Sequence, residues 1–135
     1  MDQRVSMIMT GAQDVARLRA FYEGALGWVN WGAVSDNSVM YKVGHSVLVF
    51  LNGGYLAHER GEPMSQGSKT SLALFVETRA RVDDLYARAL AAGAKETSGL
   101  RDREGGLYSG YFADPEGNSW EIVWSPHMPL DDEGR

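Results

Sequence analysis

Apolar and polar positions along this chain fall into two similar blocks separated by a glycine-rich interval. Val5-Ser6-Met7-Ile8-Met9 alternates like a half-buried strand, and Asp14 to Leu26 then sets Val15, Leu18, Phe21, Tyr22 and Ala25 at helical spacing. Gly27 ends that helix as a C-terminal glycine does. Short strand-like runs follow at Val39 to Val43 and Val47 to Leu51, with Asp36-Asn37 and Gly44-His45 as turn signals. Asn52 to Lys69 shows no convincing period and predicts a connection. The pattern then begins again. Leu72 to Val76 predicts a strand, and Val82 to Ala92 an amphipathic helix stopped by Gly93. Strands at Leu107 to Ala113 and Ser119 to Trp124 flank the turn Asp114-Pro115-Glu116-Gly117-Asn118. Phe21-Tyr22 and Ala25-Leu26 match Leu85-Tyr86 and Ala89-Leu90, so the blocks predict two copies of one module.

Composition narrows the function classes. At 135 residues and 44% hydrophobic, the chain has material for one core and one domain. A net charge of −5, with no Lys/Arg cluster, gives no electrostatic reason to approach nucleic acid. The absence of cysteine excludes disulfides, thiolate metal sites and cysteine nucleophiles. No stretch nears the ~18 apolar residues of a membrane helix, and Met1-Asp2-Gln3-Arg4 does not open a signal segment. A soluble, cytoplasmic protein with no membrane partner is the expectation. There is no phosphate loop behind Gly53-Gly54 or Gly105-Gly106, and no nucleophile elbow at Ser119. The acidic tail Asp131-Asp132-Glu133 reads as a solvated end.

Three motifs together resemble one family. Phe21-Tyr22-Glu23-Gly24-Ala25-Leu26-Gly27-Trp28 is similar to its first helix end, and Val82-Asp83-Asp84-Leu85-Tyr86 through Gly93-Ala94 to its second helix. Gly110 through Ile122 is similar to its closing F-x-DP-[ED]-GN-x-[WL]-E-[IL] signature. The family is the vicinal oxygen chelate superfamily, which includes glyoxalase I, extradiol dioxygenases, fosfomycin-resistance enzymes and bleomycin-resistance binding proteins. The resemblance covers residues 4 to 126. It implies an α+β fold in which two tandem βαβββ modules, residues 4–52 and 70–126, build a curved eight-stranded mixed sheet around a cleft. Residues 53–69 join the modules and 127–135 form a tail within the single domain 1–135. It also implies a homodimer.

Metal-using members of the family take up to four ligands, one from the first and one from the last strand of each module, and divalent ions need converging imidazole and carboxylate groups. Aligned on the helix motifs, those positions fall on Arg4, Leu48, Ser71 and Glu121. Only Glu121 is a ligand type. No metal cofactor is therefore expected, the alternative being a divalent ion that involves Glu121.

Strand alternation assigns Val5/Met7/Met9, Val47/Val49/Leu51, Leu72/Leu74/Val76 and Trp120/Ile122/Trp124 to faces beneath the helices. The opposite faces carry Arg4/Ser6/Ile8, Ser46/Leu48/Phe50, Ser71/Ala73/Phe75 and Ser119/Glu121/Val123, the mixed composition of a ligand cleft. Candidate ligand-binding residues are Arg4, Ser6, Trp31, His45, Ser46, Leu48, Phe50, Ser71, Phe75, Tyr108 and Glu121. Arg4 and Glu121 would orient polar groups, the serines add hydrogen bonds, and Leu48, Phe50 and Phe75 give apolar contact. Trp31, Phe50 and Phe75 would clamp a flat ligand. His45 is either structural or an acid/base at the cleft rim. For Glu121 three readings stand: paired with Arg4 or hydrogen-bonded, touching a ligand, or bound to a metal.

The leading expectation is a metal-independent binder of a small aromatic or amphipathic molecule, similar to bleomycin-type sequestration proteins that confer antibiotic resistance. The alternatives are a glyoxalase-like lyase, isomerase or dioxygenase, with Glu121 as metal ligand or acid/base, and a structural module whose cleft is vestigial.

Overall fold

The computed structural model of the chain describes residues 6–32, 35–61, 63–64, 70–128 and 130. The fold is α+β and divides into two compact units, Met1–Gln66 and Gly67–Arg135. In unit 1, β1 (Met7–Ala12) leads into helix α1 (Val15–Arg19), which continues as a π-wound turn over Ala20–Ala25. Then come β2 (Ser38–Val43), β3 (Ser46–Asn52) and α2 (Gly53–Arg60). Unit 2 holds β4 (Ser71–Phe75), α3 (Arg79–Ala91), β5 (Lys95–Asp102), β6 (Tyr108–Ala113) and β7 (Ser119–Trp124). The sheets are mixed, with orders β1-β3-β2 and β4-β7-β6-β5, and in each the unit's first strand lies parallel to its last. No helix among the described residues is long and apolar enough to cross a membrane.

Local chemistry explains the ends of these elements. Asp14 and Thr78 accept hydrogen bonds from the backbone N–H groups of Arg17 and Arg81, capping α1 and α3. Gly27 at φ 74° and Gly93 at φ 100° end the two helical segments in conformations that only glycine adopts without strain. The interval from Asn52, expected to be a connection, contains α2. Its signals are local rather than periodic: the Asn52 side chain accepts from Tyr55 N–H, and Gly61 stops the helix in the left-handed region. Strand β5 was also absent from the periodicity. It is largely exposed and irregular, with register shifts between Glu96, Ser98 and Arg101, so no apolar stripe marks it.

Three described strands in one sheet and four in the other stand where eight were expected. In unit 1 the segment around Asn30 and Trp31 lies along β2 without becoming a strand. Trp31 N–H donates to Met40 O at 2.7 Å, while the Asn30 side-chain oxygen takes Met40 N–H at 3.3 Å and its amide donates to Gly32 O at 3.0 Å. A side chain thus replaces a backbone acceptor in the ladder.

The core of unit 2 follows the expected faces. Trp120, Ile122 and Phe112 are buried on the α3 side, and the Tyr86 and Phe112 rings meet edge to face at 6.2 Å. Gly110 makes that fit possible, since a Cβ there would sit 2.6 Å from the Tyr86 ring. In unit 1 the expected faces are reversed. Leu48 and Phe50 are buried on the helix side, where Phe50 stacks on Tyr22 at 5.0 Å and meets Tyr41 edge to face at 6.3 Å. Met7 and Met9 turn the other way and are 45% and 56% exposed. The reason is that Val47-Leu48-Val49-Phe50-Leu51 is apolar on both faces, so alternation contains no register there. The aromatic partners on α1 and β2 decide it. Phe50→Ala should therefore cost about 3–5 kcal/mol in urea unfolding, the range for a truncated core phenylalanine; a solvent-facing or ligand-facing ring would cost under about 1 kcal/mol.

Candidate functional site

The β6–β7 hairpin places Tyr111 opposite Glu121, and the parallel β4–β7 ladder places Ala73 beside Glu121 on its other flank. Ser109 and Val123 come next on the same face, which is the one turned away from α3. Arg103 reaches this face from the end of β5. The chain reverses there through Gly105 and Gly106, both at positive φ, and Arg103 N–H donates to Leu107 O at 2.8 Å.

These side chains form one connected network. Arg103 Nε donates to Ser109 Oγ at 2.6 Å, and Ser109 Oγ donates to Glu121 Oε1 at 2.7 Å. Arg103 Nη2 also donates to Ser98 Oγ and Gly99 O, each at 3.2 Å. The guanidinium lies 4.9 Å from the centre of the Tyr111 ring, within cation–π range. The Tyr111 side chain lies across the β6–β7 ladder from Glu121. Burial first, and then the nearby Glu121 carboxylate, hold the phenol above its ordinary pKa. Ser109 is fully buried. Its hydroxyl uses its acceptor on the cation and its donor on the anion, so it couples two charges that do not touch directly. Among the described residues, no buried side-chain nitrogen or oxygen lacks a partner. At the end of the same face the hydroxyls of Ser71 and Ser119 are 2.9 Å apart, with Ala73 exposed and Phe75 half-buried beside them.

The candidates from the sequence thus separate. Glu121, Ser71 and Phe75 share the unit 2 face. Leu48 and Phe50 are core residues, for the reason given above. Tyr108 lies on the α3 side instead, its hydroxyl donating to Asp83 and the Arg79 guanidinium 4.1 Å above its ring. Trp31 belongs to the segment along β2, His45 and Ser46 lie at the β2–β3 turn, and Ser6 directly precedes β1. Arg4 lies outside the described residues. Of the three readings of Glu121, the hydrogen-bonded carboxylate matches the geometry, with Arg103 as the cation. Arg103, Ser109 and Tyr111 are residues that sequence reading missed. Hairpin symmetry about Glu116 contained the signal for Tyr111, since residues equidistant from a turn face one another. Arg103 had no signal, because β5 had none.

The donor set does not suit a catalytic divalent ion. Glu121 is flanked across the strands by Ala73 and Tyr111 and is already engaged by the Ser109 hydroxyl. The corresponding face of unit 1 presents Met7, Met9, Val47 and Val49, thioethers and aliphatics without affinity for hard or borderline divalent ions. Among the described residues, no three His, Cys, Asp or Glu side chains come together.

Residues 4–122 match the model of the Glyoxalase/Bleomycin resistance protein/Dioxygenase superfamily, and the chain belongs to that superfamily. It is similar to the structure of a glyoxalase-related enzyme from Fulvimarina pelagi, at 27% identity over 99% of this chain and 96% of that one, with a TM-score of 0.92. It is also similar to lactoylglutathione lyase from Agrobacterium tumefaciens, at 19% identity over 97% and 100% of the two chains, TM-score 0.74. For the fosfomycin resistance protein FosX from Mesorhizobium loti the identity is 18% over 94% and 96%, TM-score 0.69. The last two bear on fold alone. No curated protein matches the chain.

A double-mutant cycle reads the network directly. Arg103→Ala and Glu121→Gln should be non-additive in unfolding free energy by about 0.5–3 kcal/mol, and Ser109→Ala should abolish that coupling while costing about 1–3 kcal/mol itself.

Proposed function

We propose that this member of the superfamily binds a small amphipathic organic molecule without a metal ion, and holds it without making or breaking a bond. The ligand would lie on the unit 2 face turned away from α3, as in bleomycin-type sequestration. Ala73 and Phe75 supply apolar contact there, Ser71 and Ser119 supply hydroxyls, and Tyr111 with Glu121 supplies an oriented donor and acceptor. The observation that carries this reading is the state of Glu121. Its carboxylate accepts from Ser109, which in turn is held by Arg103, and neither of its cross-strand neighbours, Ala73 and Tyr111, is a His, Asp or Glu. Such a carboxylate is positioned to accept hydrogen bonds from a ligand without needing a metal ion for neutralisation.

The reading includes the homodimer and the curved eight-stranded sheets that the family resemblance implies. Half-exposed Met7 and Met9 on the edge strand β1 leave apolar surface for such an arrangement to cover.

A thermal-shift screen of aromatic antibiotics and metabolites in EDTA tests the proposal. A ligand at a hundred times its Kd adds about 2.7 kcal/mol of stability, a readable rise in midpoint. The expected hit survives EDTA, is recovered chemically unchanged, and binds about tenfold more weakly to Glu121→Gln, the loss of one charged hydrogen bond. A hit that requires added metal, or that is recovered as a product, contradicts the proposal.

A further inference from the structure

A groove in unit 1 is independent of the Glu121 network. It encloses about 450 Å³ between the segment after α1 and the edge strand β2, with Trp28, Trp31, Tyr41 and Lys42 among its lining residues. That volume is in the range of small-ligand sites. The back wall is rigid: Trp28 packs on Tyr22 at 5.0 Å and on Tyr41 at 5.2 Å, and Trp28 N–H donates to Tyr22 O at 2.9 Å. The outer wall is Trp31, held by its backbone bond to Met40 and by the Asn30 clamp already described. Gly32 lies against Met40 at a φ of 155°, a backbone conformation that L side chains rarely adopt.

Two features of the groove stay exposed. Trp31 leaves 49% of its surface exposed, and the neighbouring Val29 leaves 83%. Lys42 Nζ lies 5.4 Å from the centre of the Trp31 ring, and no carboxylate among the described residues pairs with it. Behind the Tyr41 wall, Glu23 is paired with Arg19 at 3.0 Å and accepts the Tyr41 hydroxyl at 3.4 Å. In a chain of net charge −5, the groove therefore offers an anion a local cation beside an open aromatic face.

We propose that this groove is a second ligand site, selective for planar aromatic carboxylates: the ring stacks on Trp31 and the carboxylate meets the Lys42 ammonium. The backbone holds the Trp31 segment in place before a ligand arrives, so stacking does not require a loop to be ordered.

Titration of 15N-labelled protein with 2-naphthoate, and separately with uncharged 2-naphthamide, tests this by NMR. The expected result is saturable shifts at Val29 to Trp31, Lys42 and Val43, with 2-naphthamide about fivefold weaker, the size of a partly exposed charge pair. Lys42→Ala should lower the 2-naphthoate affinity about fivefold and erase the difference between the probes. Trp31→Ala should weaken both about tenfold. Both side chains are exposed, and the variant spectra report directly whether the fold is kept. Equal affinity of the two probes for the unmodified chain, no saturable shift, or shifts confined to unit 2 would overturn the proposal. Ligands of the Glu121 face are read from unit 2 resonances, so the two sites stand or fall separately.

Discussion

The carboxylate of Asp114 sets the register on which the unit 2 face depends. Nearly buried, it accepts Glu116 N–H and Asn118 N–H at 2.9 Å and the Asn118 side-chain amide at 2.8 Å, closing the turn between β6 and β7. Gly117, at φ 85°, completes the reversal. With the turn closed in this way, Tyr111 must face Glu121, and Ser109 must follow on the same side. A slip of one residue would carry Glu121 under α3 and bring Trp120 out. The hydrogen-bond chain Arg103–Ser109–Glu121, with Tyr111 across the ladder from Glu121, is a consequence of that turn, completed by the Gly105-Gly106 reversal that returns Arg103 toward the sheet.

The two units use one strand arrangement for different chemistry. In each, the first strand runs parallel to the last and a helix covers one face. On the face away from the helix, unit 2 concentrates hydroxyls and compensated charges, whereas unit 1 carries methionines and valines. Family membership does not select a reaction, because function belongs to the site and not to the fold. Among the described residues, no three His, Cys, Asp or Glu side chains converge in either unit. An arginine coupled to the carboxylate through a serine does what a cation would otherwise do for Glu121.

What could be read from the sequence follows the physics of each element. Helices α1 and α3, their glycine stops and the Asp114 turn were legible, because capping and periodicity are local. The unit 2 faces were legible because Trp120 and Ile122 alternate with Glu121, a polar marker that breaks the symmetry of the strand. The unit 1 faces were not, since β3 is apolar on both sides and only the tertiary contact of Phe50 with Tyr22 and Tyr41 decides them. Strand β5 escaped because its irregular ladder and exposed surface leave no period, and Arg103 escaped with it. Glu121 lies on the strand face that alternation assigns to it, Arg4 lies outside the described residues, and the link from Glu121 through Ser109 to Arg103 comes from a turn that sequence pattern did not connect to it.

The central claim is that the Glu121 carboxylate belongs to a hydroxyl and guanidinium network and not to a metal site. Anomalous difference maps from crystals soaked in Zn²⁺ or Ni²⁺ address this most directly. The account predicts no anomalous peak at Glu121, with the contact from Ser109 Oγ retained. A peak about 2.1 Å from a Glu121 oxygen, with Ser109 displaced, would contradict it.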